Sequence, residues 1–520
     1  MKNIVLLLTC FFTSISASYC LNLKDLKSDT LKIPPYNIKL LEHFNEKIPA
    51  LHSHTHAIYK DKIVMIGGRK NGLHGGKYIF NQNHTNKRIY VIDTKNWAPV
   101  SKWEVHAMSD SKIALDSKEN HTSNFHDKSQ FRGNNAEFFT EGKVLYLIGG
   151  LIGKDSINNP NGPNTLPLFT AIDLPALIDQ VLTKTPMKSG SIRQAVDTNF
   201  ALTGGEIEVM NNNVYLVFGW DFSFKAEKYS HKILSFQYQD DIDLHTLNYT
   251  FNRLCSTCWD GQSPVSNTGA FRRRDGSMSP AINPKDGSEA LLYYGGVFKN
   301  GDTNFDNMIW INDSSAKELP FQMMSNVYTC QVIPVFSTSR KLTFATLLGG
   351  MRNADYTGSK NEITEMNSSN TWILPADIIQ YLNVPFTNQF TTITVDADLH
   401  ITQYMMPDSF PPLAKTVTIG TPKKHQEYAP VLLSDKAPVF NGTESEMLWT
   451  IDFKYKMPNG VIDFDKFIQD YPVGARLGFL HGGILSGMAN LDIENDTDNQ
   501  GRFSIGSRRI FEVFLVPAIK

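Results

Sequence analysis

Three histidines, His52, His54 and His56, alternate along the chain, so an extended strand would turn all three imidazoles to one face, a geometry able to hold Zn²⁺ or Cu²⁺. No carboxylate partner adjoins them in the sequence, and no metal is assigned. A second set of polar residues stands where polar segments run into apolar ones: Arg132, Asn135 and Glu137; Glu206; Arg272, Arg273, Arg274 and Asp275; Tyr328 and Cys330; Gln426 and Glu427. Arginine forks hold carboxylates in two-point fashion, which suits a polar or anionic ligand such as a sugar acid or a peptide terminus. An acid and a base in the same set could move a proton at a sugar carbon. The opposing reading is that these charges pair with one another and fix neighbouring elements.

Other chemistry is excluded or left bland. Cys255 and Cys258 form CSTC, most simply a local disulfide in an oxidising compartment, because neither a βαβ context for redox work nor a second ligand pair for zinc is present. The acidic run Asp492 to Gly501 lacks EF-hand spacing and its closing Glu, and is expected to be a solvated loop. The chain holds no GxSxG elbow, P-loop, HExxH or dinucleotide fingerprint. No cofactor is expected.

A repeat must position these side chains. An apolar run ending in a glycine pair, or glycine plus tryptophan, recurs six times, closing at Gly67–Gly68, Gly149–Gly150, Gly219–Trp220, Gly295–Gly296, Gly349–Gly350 and Gly482–Gly483. The early copies follow a second short strand and a tight turn (KDK, EGK, NNN) at constant offset, so the unit is a hairpin repeated in register. After the first pair, Tyr90 and Trp97 bracket a third strand leading into a fourth.

These features resemble the kelch repeat, a four-stranded blade of a β-propeller, with His54, Gly67, Gly68, Tyr90 and Trp97 of the first copy on the family's pattern. Later copies keep only the hairpin core. The phrases FRGNNAEF, LTGGEIEV, FRRRDGSMSPAI, LNVPFTNQFTTITVDADL and ARLGFLHGGI are similar to those of exported bacterial kelch-type proteins without a described activity. The resemblance implies an all-β, six-bladed propeller with long inter-strand insertions and a few short helices, seven blades being the alternative. It also implies that the first strand of each blade lines a central channel. The residues expected at its mouth are then His54, His56, Arg132, Glu137, Glu206, Arg272, Arg274, Asp275, Tyr328 and Glu427. Secreted kelch propellers include sialic-acid mutarotases, so an enzyme of that mutarotase or epimerase type using channel Arg and Glu is the alternative to a binding module for a protein or glycan.

First-glycine spacings of 82, 70, 76, 54 and 133 residues exceed a compact kelch unit, so the surplus lies in loops. The echo of TAIDLPALIDQ in NTWILPADIIQ predicts short helices starting near Pro175 and Pro375. HQEYAPVLL, His425 to Leu433, is expected to open the last blade, with Ala475 to Gly483 as its second strand and the segment between as an insertion. RRIFEVFLVP then supplies a third strand and NIKLLEHFNEKIP, from the start of the chain, the fourth.

The first 20 residues, a basic start and the apolar run from Ile4 to Ala17, are expected to be a cleavable export signal, too short to span a bilayer. Residues 21–520 would form one propeller domain, soluble and secreted or periplasmic. Of 520 residues 41% are apolar and 20% charged, with a net charge of −2, which excludes a disordered tail and gives no basic field for nucleic acid. A monomer without stable membrane insertion is expected. Seven N-x-S/T sequons are about the number chance supplies and carry no weight.

Overall fold

The computed structural model describes residues 33–72, 84–115, 127–153, 164–222, 228–253, 269–299, 303–352, 386–415, 417–419, 431–433, 439–487 and 504–518. Six blades form a propeller: five are antiparallel four-stranded sheets, and the fifth in chain order adds a short parallel strand to its antiparallel four. Their first strands are Thr55–Tyr59, Glu137–Glu141, Glu206–Met210, Ser277–Ile282, Gln331–Ser337 and Ser445–Trp449. Each packs beside the next, and the sixth beside the first, so the ring closes around a channel. Between every neighbouring pair of blades lies one apolar cluster, as expected when each sheet must bury both faces. Tyr90 and Trp97 both lie in the cluster between blades 1 and 6, where Trp97 stacks on Phe479 at 5.7 Å.

The repeated glycines are explained by close approach. Gly149 has φ +63, and a Cβ there would stand 2.2 Å from the carbonyl oxygen of Leu202 in the next blade; Gly295 meets Val327 O at the same 2.2 Å. The third copy is shifted from the expected alignment. Phe218 (φ 59) takes the first glycine's place and Gly219 (φ 94) the second's, and Trp220 is the residue after the pair. The bonding proves the register: Gly219 N–H donates to Arg273 O as Gly150 N–H donates to Leu202 O, and Trp220 pairs with Thr203 as Leu151 does with Asn134. The ring of Phe218 fits by packing between blades 3 and 4, 4.8 Å from Tyr293.

The helix expected near Pro175 spans Leu174–Thr183, capped by Asp173, whose carboxylate accepts from Ala176 N–H, and it buries Leu174, Leu177, Ile178 and Val181 against blades 1 and 2. Its expected counterpart near Pro375, the export signal, Cys255, Cys258 and the 492–501 run lie outside the described residues. No helix among the described residues is long and apolar enough to cross a membrane.

The last blade departs from expectation in one strand. Its second strand is Ala475–Gly482, its third Ile510–Pro517, and its outermost strand is Tyr36–His43 from the start of the chain, paired from Tyr36 with Pro517 to His43 with Ile510. The first strand, however, is Ser445–Trp449 and not the segment ending at Leu433. Val431–Leu433 pairs instead with Val417–Ile419 in a separate two-stranded ribbon. Both segments alternate in a strand-like way. What decides is the backbone reversal at Gly442 (φ 103) and Glu444 (φ 53), which turns Ser445–Trp449 into register with the second strand. After Trp449 the chain crosses the far end of the channel: Asn459 Nδ2 donates to Ala281 O of blade 4, and Ile462–Asp463 pairs in parallel with Val335–Phe336 of blade 5.

Candidate functional site: a collared channel cavity

The mouth of the channel is closed down by backbone. Ser53, Asn135, Gly204, Asp275, Thr329 and Glu444, one from each blade, stand just before the first strands. Asn135 N–H donates to Ser53 O (3.0 Å), Gly204 to Asn135 (3.4 Å), Asp275 to Gly204 (2.7 Å), Thr329 to Asp275 (3.0 Å) and Glu444 to Thr329 (2.9 Å). Ser53, Asn135, Gly204, Asp275 and Glu444 all have positive φ. That conformation costs an L-residue about 1–2 kcal/mol, offset here by the chain of bonds it permits. Between Ser53 and Glu444 side chains complete the collar: the Ser53 hydroxyl donates to the Glu444 carboxylate, which also lies 2.9 Å from His52 Nδ1.

At the collar and along the first strands below it lies a cavity of about 190 Å³, whose acidic lining is Glu137, Glu206, Glu208, Glu444 and Glu446 and whose imidazole is His54; among the described residues neither arginine nor lysine lines it. Strand alternation sets this composition. Glu206 and Glu208 are two apart in one strand and so share the channel face, while Glu446 lies in the last blade's first strand and Glu444 in the turn before it. Glu137 Oε1 accepts the Gly205 N–H at 2.9 Å, which fixes the carboxyl across the blade 2–3 junction.

Crowding of acids in a poorly hydrated channel moves their protons. Burial pushes the Glu137 carboxyl up to about 8, opposed by the Gly205 N–H and aided by the Asp275 charge. Burial raises Glu208 to about 7. Burial, then the charges of Glu137, Glu446 and Glu208, holds Glu206 well above the usual carboxylate range, and burial with Glu444 and Glu137 does the same for Glu446. Glu444 goes the other way: burial would raise it, but the His52 hydrogen bond and charge, with Arg69, hold it low. Burial and mutual repulsion put His54 well below 6.5, and burial, with the His481 charge, puts His56 at about 4. The His56–Glu446 approach is 3.8 Å, with His56 lowered by burial and Glu446 raised by it, so burial acts against charge on both partners.

Above the collar the arginines are occupied. Arg274 pairs with Asp275 and lies 4.2 Å over Trp220; Arg272 lies 3.8 Å over Tyr229, which itself stacks on Trp220. Arg273 is fully buried and donates to Gly295 O and Asn307 O.

The structure thus brings His54, Glu137 and Glu206 to the cavity and Asp275 to the collar. His56 lies beside the cavity wall, 3.8 Å from Glu446. Tyr328 stands at the collar with its hydroxyl 3.4 Å from Glu444, and Arg274 and Arg272 stand at the rim. Arg132 is elsewhere: it pairs with Asp110 of blade 1 at 2.7 Å, the inter-blade pairing that charged residues offer as an alternative to ligand binding. Glu427 lies outside the described residues. Glu444 and Glu446, missed because the last blade's first strand was sought upstream, occupy the place expected of it. Glu208 was legible from its spacing to Glu206. His481, 5.3 Å from His54, sits in LGFLHGG just before a glycine pair. Arg69, directly after the first pair, acts on His52 and Glu444. The three-histidine face does not form: His52 turns to Glu444 and Asn71 O, whereas His54 faces His481. Cys330 is a buried free thiol.

No family model and no curated protein matches the chain. Among solved structures it is similar to one described as the structure of YjhT, at 12% identity and a TM-score of 0.37, over 76% of this chain and 95% of that one.

Proposed function

We propose that the protein is an exported, kelch-type recognition module that takes a glycan or protein partner on the collar face, with the channel cavity seating one polar group of that partner. The observation that supports it is convergence: carboxyl groups from blades 2, 3 and 6 and an imidazole from blade 1 share one cavity beneath loops contributed by every blade. Pockets with a few convergent polar groups are where propellers and other ring folds take ligands. Glycan-array and pulldown screens of the mature chain test this, with Glu137→Gln as the comparison. A partner lost in the variant supports the reading, and blank screens of both kinds overturn it in favour of a structural surface protein.

One observation favours a second reading. Glu137 and Glu208 exchange protons near neutral pH beside the uncharged His54, the condition for general acid–base work on a sugar. Under this reading the protein is a mutarotase- or epimerase-type enzyme. NMR measurement of anomer exchange on free sialic acids decides it: acceleration abolished by Glu137→Gln supports the enzyme, and an unchanged rate removes it.

A further inference from the structure

The cavity wall is acidic, and this reverses the ligand charge suggested by the arginine-rich sequence segments. Arg132, Arg272, Arg273 and Arg274 are all engaged away from the cavity, in an ion pair, on aromatic faces or on backbone carbonyls. Glu137, Glu206 and Glu446 remain directed at it.

A second, independent feature points the same way. His54 lines the cavity, is 1% exposed, and has no hydrogen-bond partner at either ring nitrogen. Leaving a buried polar atom unmatched is costly, and a ligand donor would satisfy it. Being uncharged, the imidazole offers a lone pair as acceptor.

The protein itself shows what satisfies such a wall. From the segment crossing the far end of the channel, Lys456 lies with its ammonium 4.4 Å over the Trp449 ring, and its charge acts on Glu208. The lower end of the channel thus has an ammonium among its acids, supplied by the chain. Among the described residues, none lines the cavity beside the upper group of Glu137, Glu206 and Glu446.

We propose that the cavity binds a protonated amine, seated among Glu137, Glu206 and Glu446 with His54 as a further acceptor. This rests on the cavity being a ligand seat and specifies the chemistry of that ligand. A bare metal ion fits less well. Among the described residues the one group of three His/Cys/Asp/Glu ligand atoms lying mutually within 4.8 Å is Asp396, Asp398 and His400 on the exterior, so the channel acids do not form such a group. About 190 Å³ is room for about six waters at about 30 Å³ each, or for a short aliphatic amine.

The binding must be linked to protons, because the carboxyls have to ionise as the cation enters. The groups facing the seat are His54 and His56 from blade 1, Glu137 from blade 2, Glu206 and Glu208 from blade 3, and Glu446 and His481 from blade 6. Blade 5 adds Cys330; Asp275 and Glu444 stand in the collar, Tyr328, Arg69 and Arg274 around it, Tyr293 beside Gly276, and Lys456 below. The histidines are uncharged over the working range, so the carboxyls carry the linkage.

The experiment is titration calorimetry of the purified chain with 1,4-diaminobutane, using 1,4-butanediol as the neutral isostere, in low-salt phosphate and in HEPES. Saturable binding of the diamine is expected, with none of the diol. Affinity should fall about fiftyfold or more from pH 8 to pH 6, as follows when a carboxyl titrating at about 8 must ionise, and proton release should show as a difference in heat between the two buffers. Glu206→Gln should weaken binding about thirtyfold or more, and Glu446→Gln gives the same readout if the first variant does not fold. Equal binding of diol and diamine, no saturable heat, or diamine binding unchanged in both variants overturns the proposal. The two readings fail separately. A chain that holds its glycan or protein partner but ignores the diamine overturns this inference alone. One that binds the diamine while arrays and pulldowns stay blank overturns the recognition reading alone.

Discussion

Replacing Glu137 by glutamine should stabilise the propeller, by an amount that grows as pH rises from 4.5 to about 8. The substitution keeps the oxygen that accepts the Gly205 N–H at 2.9 Å and removes the ionisable proton. In the native protein burial raises this carboxyl from 4.5 to about 8. Between those values the folded chain holds a proton that the unfolded chain has lost, so stability falls as pH rises through this window and levels off above it. At about 1.4 kcal/mol per pH unit, the gap from 4.5 to about 8 corresponds to a loss of about 5 kcal/mol, the upper limit of what the variant recovers. The histidines act with the opposite sign. His56 and His481 are lowered from 6.5 to about 4, so their contribution is lost as pH falls below 6.5, and this acid limb is common to both proteins. For the roughly 365 described residues, unfolding entropy near 2 cal/mol/K per residue gives a Tm shift of about 1.4 °C per kcal/mol. Thermal unfolding of Glu137→Gln in buffers free of amines should therefore match the native protein at pH 4.5 and exceed it by about 3–5 °C at pH 8.5. A constant offset at both pH values, or a less stable variant at pH 8.5, would refute burial as the origin of the shift.

Three other outcomes follow from the packing. Gly149→Ala, whose Cβ would meet Leu202 O at 2.2 Å, should cost at least about 2 kcal/mol in denaturant unfolding, against about 1 kcal/mol for Gly142→Ala, which has φ +57 but nothing within 4 Å; equal costs would deny the inter-blade contact. Deleting Tyr36–His43 bares the edge of Ile510–Pro517 and should produce concentration-dependent self-association in light scattering, and a deletion that stays monomeric with unchanged Tm would show that the seam does not need its outer strand. Burial pushes the Cys330 thiol up to about 12, so iodoacetamide should leave it unlabelled in the native chain at pH 8 and label it on unfolding; mass spectrometry of native labelling at Cys330 would contradict its burial.

The fold was largely legible because glycine pairs leave a local trace. Each is required where a carbonyl of the next blade comes within van der Waals reach of the backbone, so the repeat survives in sequence even where the aromatic pair does not. Loop length hid the last blade: in a 133-residue gap two segments alternate like strands, and the choice between them depends on a backbone reversal at Gly442 and Glu444 that composition does not announce. The site was half legible. Residues just before the first strands could be placed at the mouth, and so Glu137, Glu206 and Asp275 were found. Where a charged side chain points once there is a tertiary matter. Arg132 turns outward to Asp110, Arg272 and Arg274 lie down on aromatic rings, and an apparently basic mouth becomes an acidic cavity.

The collar holds one further consequence. Five of its joints are amide hydrogen bonds, insensitive to side-chain identity and to pH. The sixth, between blades 6 and 1, is a latch made by Ser53, His52 and Glu444, and one of the blades it joins is the one whose outer edge zips the two ends of the chain together. Strain arriving anywhere around the ring is passed on by joints that cannot titrate until it reaches the one that can. Among the described residues the collar is a hoop with a single side-chain clasp, and a substitution at Glu444 addresses that clasp while leaving the five amide joints in place.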